Sequence, residues 1–188
     1  MAKLEFVEKY KDAGLTLPIR KTEGSAGYDL LAAEDTVVPS VWELIEILRK
    51  EGELQADQGN FYTRIDEFLT LEEMEYLTKI AHARPTLMPT GVKCQLGKDE
   101  YLELSVRSSS PLKYWLVMAN GVGIIDADYY NNPSNEGLIY LQLINLSPFP
   151  LMIQKGEAIG QGVIKNYLTV TDDAASGVRT GGFGSTNA

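Results

Sequence analysis

Short apolar runs of about strand length, separated by Gly, Pro, Asn and Asp, set the pattern of most of this chain. They are TGVKCQL at 90–96, EYLELSV at 100–106, WLVMANGVGIID at 115–126, GLIYLQLINL at 137–146, PLMIQ at 150–154 and AIGQGVI at 158–164. So many short β-branched or aromatic runs with frequent turns predict a sandwich, jelly roll or barrel. One region departs from this pattern. In SVWELIEILRK, Val41, Leu44, Ile45 and Leu48 fall at helical spacing behind a Ser40–Glu43 capping box. TLEEMEYLTKIAHA repeats the device with Thr70 and Glu73, puts Leu71, Met74, Leu77 and Ile80 on one face, and is ended by Pro85. The expected organisation is one mainly β domain over residues 1–176, interrupted by an α-helical insertion over about 41–84. The Gly-rich tail, 177–188, has too few apolar residues to pack by itself and is expected to be a flexible or ligand-ordered arm.

Composition narrows the chemistry. A length of 188 residues suits one domain, and 44% apolar with 23% charged residues is ordinary for a soluble protein. No stretch reaches the apolar length of a membrane span, and MAKLEFVEKYKDAG lacks a signal peptide's apolar core, so a cytoplasmic protein is expected. Cys94 and His82 are each the sole residue of their type. Disulfide frameworks, paired-cysteine zinc sites, His-rich metal cages and the zinc-deaminase signature are therefore excluded, as is a His-based triad unless His82 is its base. A net charge of −9 argues against a nucleic-acid backbone as partner. Chemistry must rest on carboxylates, hydroxyls, backbone amides, a few Arg or Lys residues and a hard metal ion.

Five patches in order carry more information than any one alone: SAGYDLLA at 25–32, VRSSSPLK at 106–113, GVGIIDADYY at 121–130, KGEAIGQGVI at 155–164 and RTGGFGST at 179–186. With these the chain resembles the trimeric dUTPases, whose five motifs occur in this order and end in a Gly-rich C-terminal arm. The resemblance covers about 17–40 and 86–186 and leaves the helical insertion outside it. It implies an eight-stranded jelly-roll-like subunit with an α-helical insertion, three of which form a homotrimer with shared interface active sites. The implied reaction takes dUTP and water to dUMP and pyrophosphate with Mg2+ on the triphosphate, limiting uracil incorporation into DNA and supplying dUMP for dTMP synthesis.

The resemblance also assigns roles. Asp126 is the base that takes a proton from the attacking water, and Tyr129 lays its ring against the deoxyribose to exclude a 2′-hydroxyl. Asn120 helps to read uracil, together with the hairpin backbone around Gly123. Arg107, Ser108 and Ser109 hold phosphates, Ser109 standing where many members have Gly. Gln161 holds an α-phosphate oxygen, and Asp29 engages the water shell of Mg2+. In the arm, Phe183 stacks on uracil, Gly184 lets amides approach the phosphates, and Ser185 and Thr186 reach the γ-phosphate. Arg179 is a substrate-binding residue of the arm, but it stands one residue closer to Gly-Gly-Phe than is usual, so its side chain reaches a different phosphate oxygen or none. The arm is expected to reach the Asp126 of another subunit. Asp128 is read as orienting the turn and Tyr130 as packing or surface.

YYNNPSNEG is longer than the family's usual link, and is expected to bulge the hairpin tip away from the base. Two rivals stand beside this reading. A dCTP deaminase, or its bifunctional form, needs a Glu where counting from Gly137 gives Gln142, an amide that cannot serve as base. A regulatory module would signal through a protein partner docking on the 41–84 segment, with an exposed Trp42 or Tyr76 as its marker.

Overall fold

The computed structural model describes residues 2–42, 85–179 and 181–182. Eleven short strands lie among them, all paired antiparallel. The largest sheet has the order β2 (Tyr28–Leu31), β11 (Ala158–Asn166), β6 (Glu100–Val106) and β8 (Gly123–Asp126). A second has β9 (Tyr140–Asn145) between β4 (Thr86–Pro89) and β7 (Leu116–Met118). Two ribbons complete the set, β1 (Lys3–Phe6) with β5 (Val92–Gln95) and β3 (Thr36–Val38) with β10 (Leu151–Ile153). The mainly β, jelly-roll-like architecture expected from the sequence is what these sheets build, with more and shorter strands than eight.

Alternation explains the layering. On β6, Leu102 and Leu104 are buried while Glu103 and Ser105 are only half-buried; on β9, Leu141 and Leu143 are buried while Tyr140 and Gln142 are half-buried. Leu30, Met88, Leu116, Ile139 and Ile153 join them, and every strand packs on this one core, β1 through the partly buried Leu4 and Phe6. Gly160 makes this closure tight. A Cβ there would lie 2.4 Å from Leu141 Cδ1, so β9 leans directly on the backbone of β11. The run at 115–126 is two strands, parted by a turn in which Gly121 has φ +70°. A short helix, α1 (Ser109–Tyr114), follows β6.

Of the predicted helices, Val41 and Trp42 are helical, and the Trp42 N–H donates to Ser40 Oγ at 3.1 Å, as an N-cap serine requires. The rest of the predicted insertion, from 43 to 84 with Tyr76, lies outside the described residues. Trp42 is about half exposed, and its Nε1–H donates to Leu146 O at 2.9 Å. No helix among the described residues is long and apolar enough to cross a membrane.

Cys94 is 1% exposed on β5, and burial pushes its thiol up to about 11. The native protein is therefore expected to resist a thiol reagent at pH 8, and to release one titratable thiol in denaturant. Rapid labelling of the folded protein would contradict this burial.

Candidate functional site

Strand β8 carries its last residue, Asp126, to the sheet edge, opposite Tyr101 of β6. Alternation points Ile125 into the core and leaves the Asp126 side chain about half exposed. A tight 3-10 turn over Ala127–Tyr129 then drives the Tyr129 ring inward to 4% exposure. Between them opens a pocket lined by Asn120, Gly123, Asp126, Tyr129, Gln142 and Arg179. The turn before β8 is fixed on β9 by Ala119 N–H donating to Gln142 O at 2.8 Å.

Arg179 reaches across this pocket. Its Nη2 pairs with Asp126 Oδ2, its Nε donates to Asp128 Oδ1 at 2.7 Å, and its Cζ sits 5.9 Å from the centre of the Tyr129 ring. Asp126 Oδ1 makes no hydrogen bond among the described residues. Asp128 thus receives the arm. The resemblance implies an arm reaching another subunit, whereas here Arg179 and Gly182 lie against Asp126 and Tyr129 of their own chain. The link from Asn166 to Arg179 can span about 40 Å when extended, ample for this return.

A second group forms at the other end of the same sheet. Register puts Asp29, Gln161 and Ser105 in one row across β2, β11 and β6, and Gln161 Nε2 donates to Ser105 Oγ at 3.2 Å. Arg107, one residue past β6, stands with Nε 3.3 Å from Asp29 Oδ1 and donates from Nη1 to Ala158 O at 3.1 Å. Ser108 is exposed at the start of α1 and makes no side-chain capping bond; Ser109 is the first helical residue and half-buried. Asp29 is 8% exposed, and its Oδ2 is buried without a hydrogen-bond partner among the described residues.

The two groups do not meet within one chain. Asp126 is level with Tyr101, and Arg107 lies six residues further along β6, about 20 Å away in an extended strand. Phe183, Gly184, Ser185 and Thr186 lie outside the described residues. The loop after Tyr129 does not bulge away. It folds back, and Asn135 Nδ2 donates to the Tyr129 hydroxyl at 2.7 Å. Tyr130 is a surface residue whose hydroxyl bonds to Glu5, with Lys93 Nζ 5.1 Å from its ring centre. Sequence reasoning missed Asn135, the Arg179–Asp128 pair and Gln142 as a pocket residue; only the odd length of YYNNPSNEG pointed near the first.

No family model matches the chain. It is 37% identical over 186 residues to the deoxyuridine 5'-triphosphate nucleotidohydrolase of Lactococcus lactis subsp. lactis (strain IL1403), covering 98% of this chain and 96% of that protein. The chain belongs to the dUTPase family. The crystal structure of the dUTPase from Streptococcus mutans agrees, with a TM-score of 0.63 and 33% identity over 89% of this chain and 97% of that one. A mutant dUTPase from phage phi11 of S. aureus, whose structure details the coordination of a structural Mg(II) ion, has a TM-score of 0.57. At 14% identity over 94% of this chain and 97% of that one, it shares the dUTPase fold alone.

Proposed function

We infer that this chain is a dUTP diphosphatase, hydrolysing dUTP to dUMP and pyrophosphate, and that Asp126 is its general base. One observation carries the reading: in a member of the dUTPase family, a half-exposed carboxylate with one open oxygen stands beside a buried tyrosine at a polar-lined pocket. A water held on Asp126 Oδ1 gives up its proton as it attacks the α-phosphorus. The α–β bridging bond breaks, and its electron pair leaves with pyrophosphate. Arg179 holds Oδ2 and so fixes the rotation of the carboxylate. Asn120 and the backbone between β7 and β8 meet the uracil edge, while the Tyr129 ring lies against the deoxyribose. Cytosine reverses the donor and acceptor at that edge, so polar groups would be left unpaired against it.

Arg107, Ser108, Ser109 and Gln161 are the phosphate-holding residues in this reading, with Arg107 as a charge-assisted donor. The distance of about 20 Å from Arg107 to Asp126 exceeds the reach of one nucleotide's sugar and α-phosphate. That supports a homotrimer in which one subunit's Asp126 pocket faces another's Arg107 group. Phe183, Gly184, Ser185 and Thr186 would close over the bound nucleotide. For Mg2+, Asp29 fits a role through water, since its Oδ2 has no donor among the described residues and a carboxylate accepts from a metal's hydration shell. Mg2+ would bind chiefly through the phosphates of the nucleotide, keeping several of its waters. Bound there, Mg2+ neutralises triphosphate charge. In a cell, this activity would keep uracil out of DNA and supply dUMP for dTMP synthesis.

Turnover of dUTP, UTP, dCTP and dTTP, with and without a chelator, tests the reading. Activity is expected on dUTP far above the others and is expected to vanish with the chelator. Equal turnover of dCTP would overturn the uracil assignment.

A further inference from the structure

The loop between Tyr129 and Gly137 is closed by its own hydrogen bonds. Asn132 N–H donates to Tyr129 O at 3.1 Å, Glu136 N–H to Asn132 O at 2.7 Å, and Asn131 N–H to Glu136 O at 3.2 Å. Asn132 Oδ1 accepts from both the N–H and the hydroxyl of Ser134. Asn131 and Glu136 adopt positive φ, 57° and 59°, a conformation that Asn takes readily but Glu tolerates only where surrounding bonds enforce it. Gly137, at φ +79°, cannot be replaced, because a Cβ would sit 2.5 Å from Tyr129 O. The loop is a small rigid body built on Tyr129.

Within it, Asn135 is held at three atoms. Its N–H donates to Asn132 O at 3.3 Å, its carbonyl accepts from Leu138 N–H at 3.0 Å, and its Oδ1 accepts from Gly137 N–H at 3.0 Å. That fixes the remaining Nδ2, which donates to the Tyr129 hydroxyl; the hydroxyl in turn donates to Leu138 O at 3.1 Å. The far end of the ring is thus pinned on both sides, while its near end is fixed by the backbone turn. An apolar wall rejects one extra hydroxyl only weakly when it can yield, so exclusion of a 2′-hydroxyl depends on a ring that does not move.

We propose that Asn135 is a positioning residue for sugar selection, pinning the Tyr129 hydroxyl so that the ring cannot give way to a ribose. This rests on the reading of Tyr129 as the surface against the deoxyribose. The experiment measures kcat and KM for dUTP and UTP in the whole protein and in Asn135→Ala, Tyr129→Phe, the double variant and Tyr129→Ala. Losing one hydrogen bond's worth of restraint, Asn135→Ala should lower the preference for dUTP over UTP by about fivefold, chiefly through a lower KM for UTP. Tyr129→Phe, which keeps the ring but loses its anchor, should do the same, and the double variant should lose no more than either. Equal further loss when Asn135→Ala is added to Tyr129→Phe would show that Asn135 acts elsewhere and overturn the proposal. Should Asn135→Ala not fold, Tyr129→Phe still decides, since undiminished preference there means that ring volume suffices unpinned. If Tyr129→Ala itself keeps full preference, the reading of Tyr129 falls and the proposal with it. Loss in Tyr129→Ala alone, with none in Asn135→Ala or Tyr129→Phe, removes only the anchoring.

Discussion

Asp126→Asn lowers kcat on dUTP by about 10²- to 10⁴-fold, the usual contribution of a positioned general base, with little change in KM. The amide keeps the volume and the strand-end geometry of the carboxylate, and Arg179 keeps its bond to Asp128. What is lost is the capacity to take a proton at neutral pH. Arg179 holds Oδ2, so the open Oδ1 is the oxygen that meets the water. Steady-state pyrophosphate release, together with equilibrium binding of a non-hydrolysable dUTP analogue, separates the two effects. A variant with kcat within tenfold of the parent would remove Asp126 from proton transfer.

Two inactive proteins, Asp126→Asn and Arg107→Ala, regain activity when they are unfolded and refolded together. The expectation rests on the proposed trimer: Asp126 and Arg107 lie at opposite ends of β6, so a complete site would draw them from different subunits. Random assortment into trimers gives about one competent site in four. Refolding Asp126→Asn with a chain ended after Ser176 tells where the arm goes: rescue in mixed trimers, verified by a mass tag, puts it on the Asp126 of a neighbouring subunit, and no rescue puts it on its own.

What the sequence disclosed depended on the length of each signal. Glu100–Val106 and Ala158–Asn166 are long enough to show their alternation, and both were legible. Lys3–Phe6, Thr36–Val38 and Thr86–Pro89 are three or four residues each, too short for a period, and exist because a partner strand supplies their bonds. The break at Asn120–Gly121 carried its own turn signal inside a longer apolar run. In the site, Asp126, Tyr129 and Asn120 were named from the order of motifs, and the structure sets them around one pocket. Arg179 with Asp128 and Asn135 with Tyr129 were not legible. The first pair is separated by some fifty residues, and the second depends on positive φ at two non-glycine residues that no composition announces.

The pairing of β2 with β11 has a consequence for how the protein is made. Leu31 finds its partner in Ala158, more than a hundred residues later, and Val38 finds its partner in Leu151. During synthesis, the N-terminal strands must therefore wait for nearly the whole body to leave the ribosome before the core can shut, and such distant pairings are slow. The connection from Val38 to Thr86 bears its own closure cost. Adding or removing a stretch the size of 43–84 within it changes the closure entropy by about 2 kcal/mol, or about 0.6 kcal/mol for each doubling of its length. Lineages of this fold can therefore gain or shed material between β3 and β4 at a penalty that grows only logarithmically with its length.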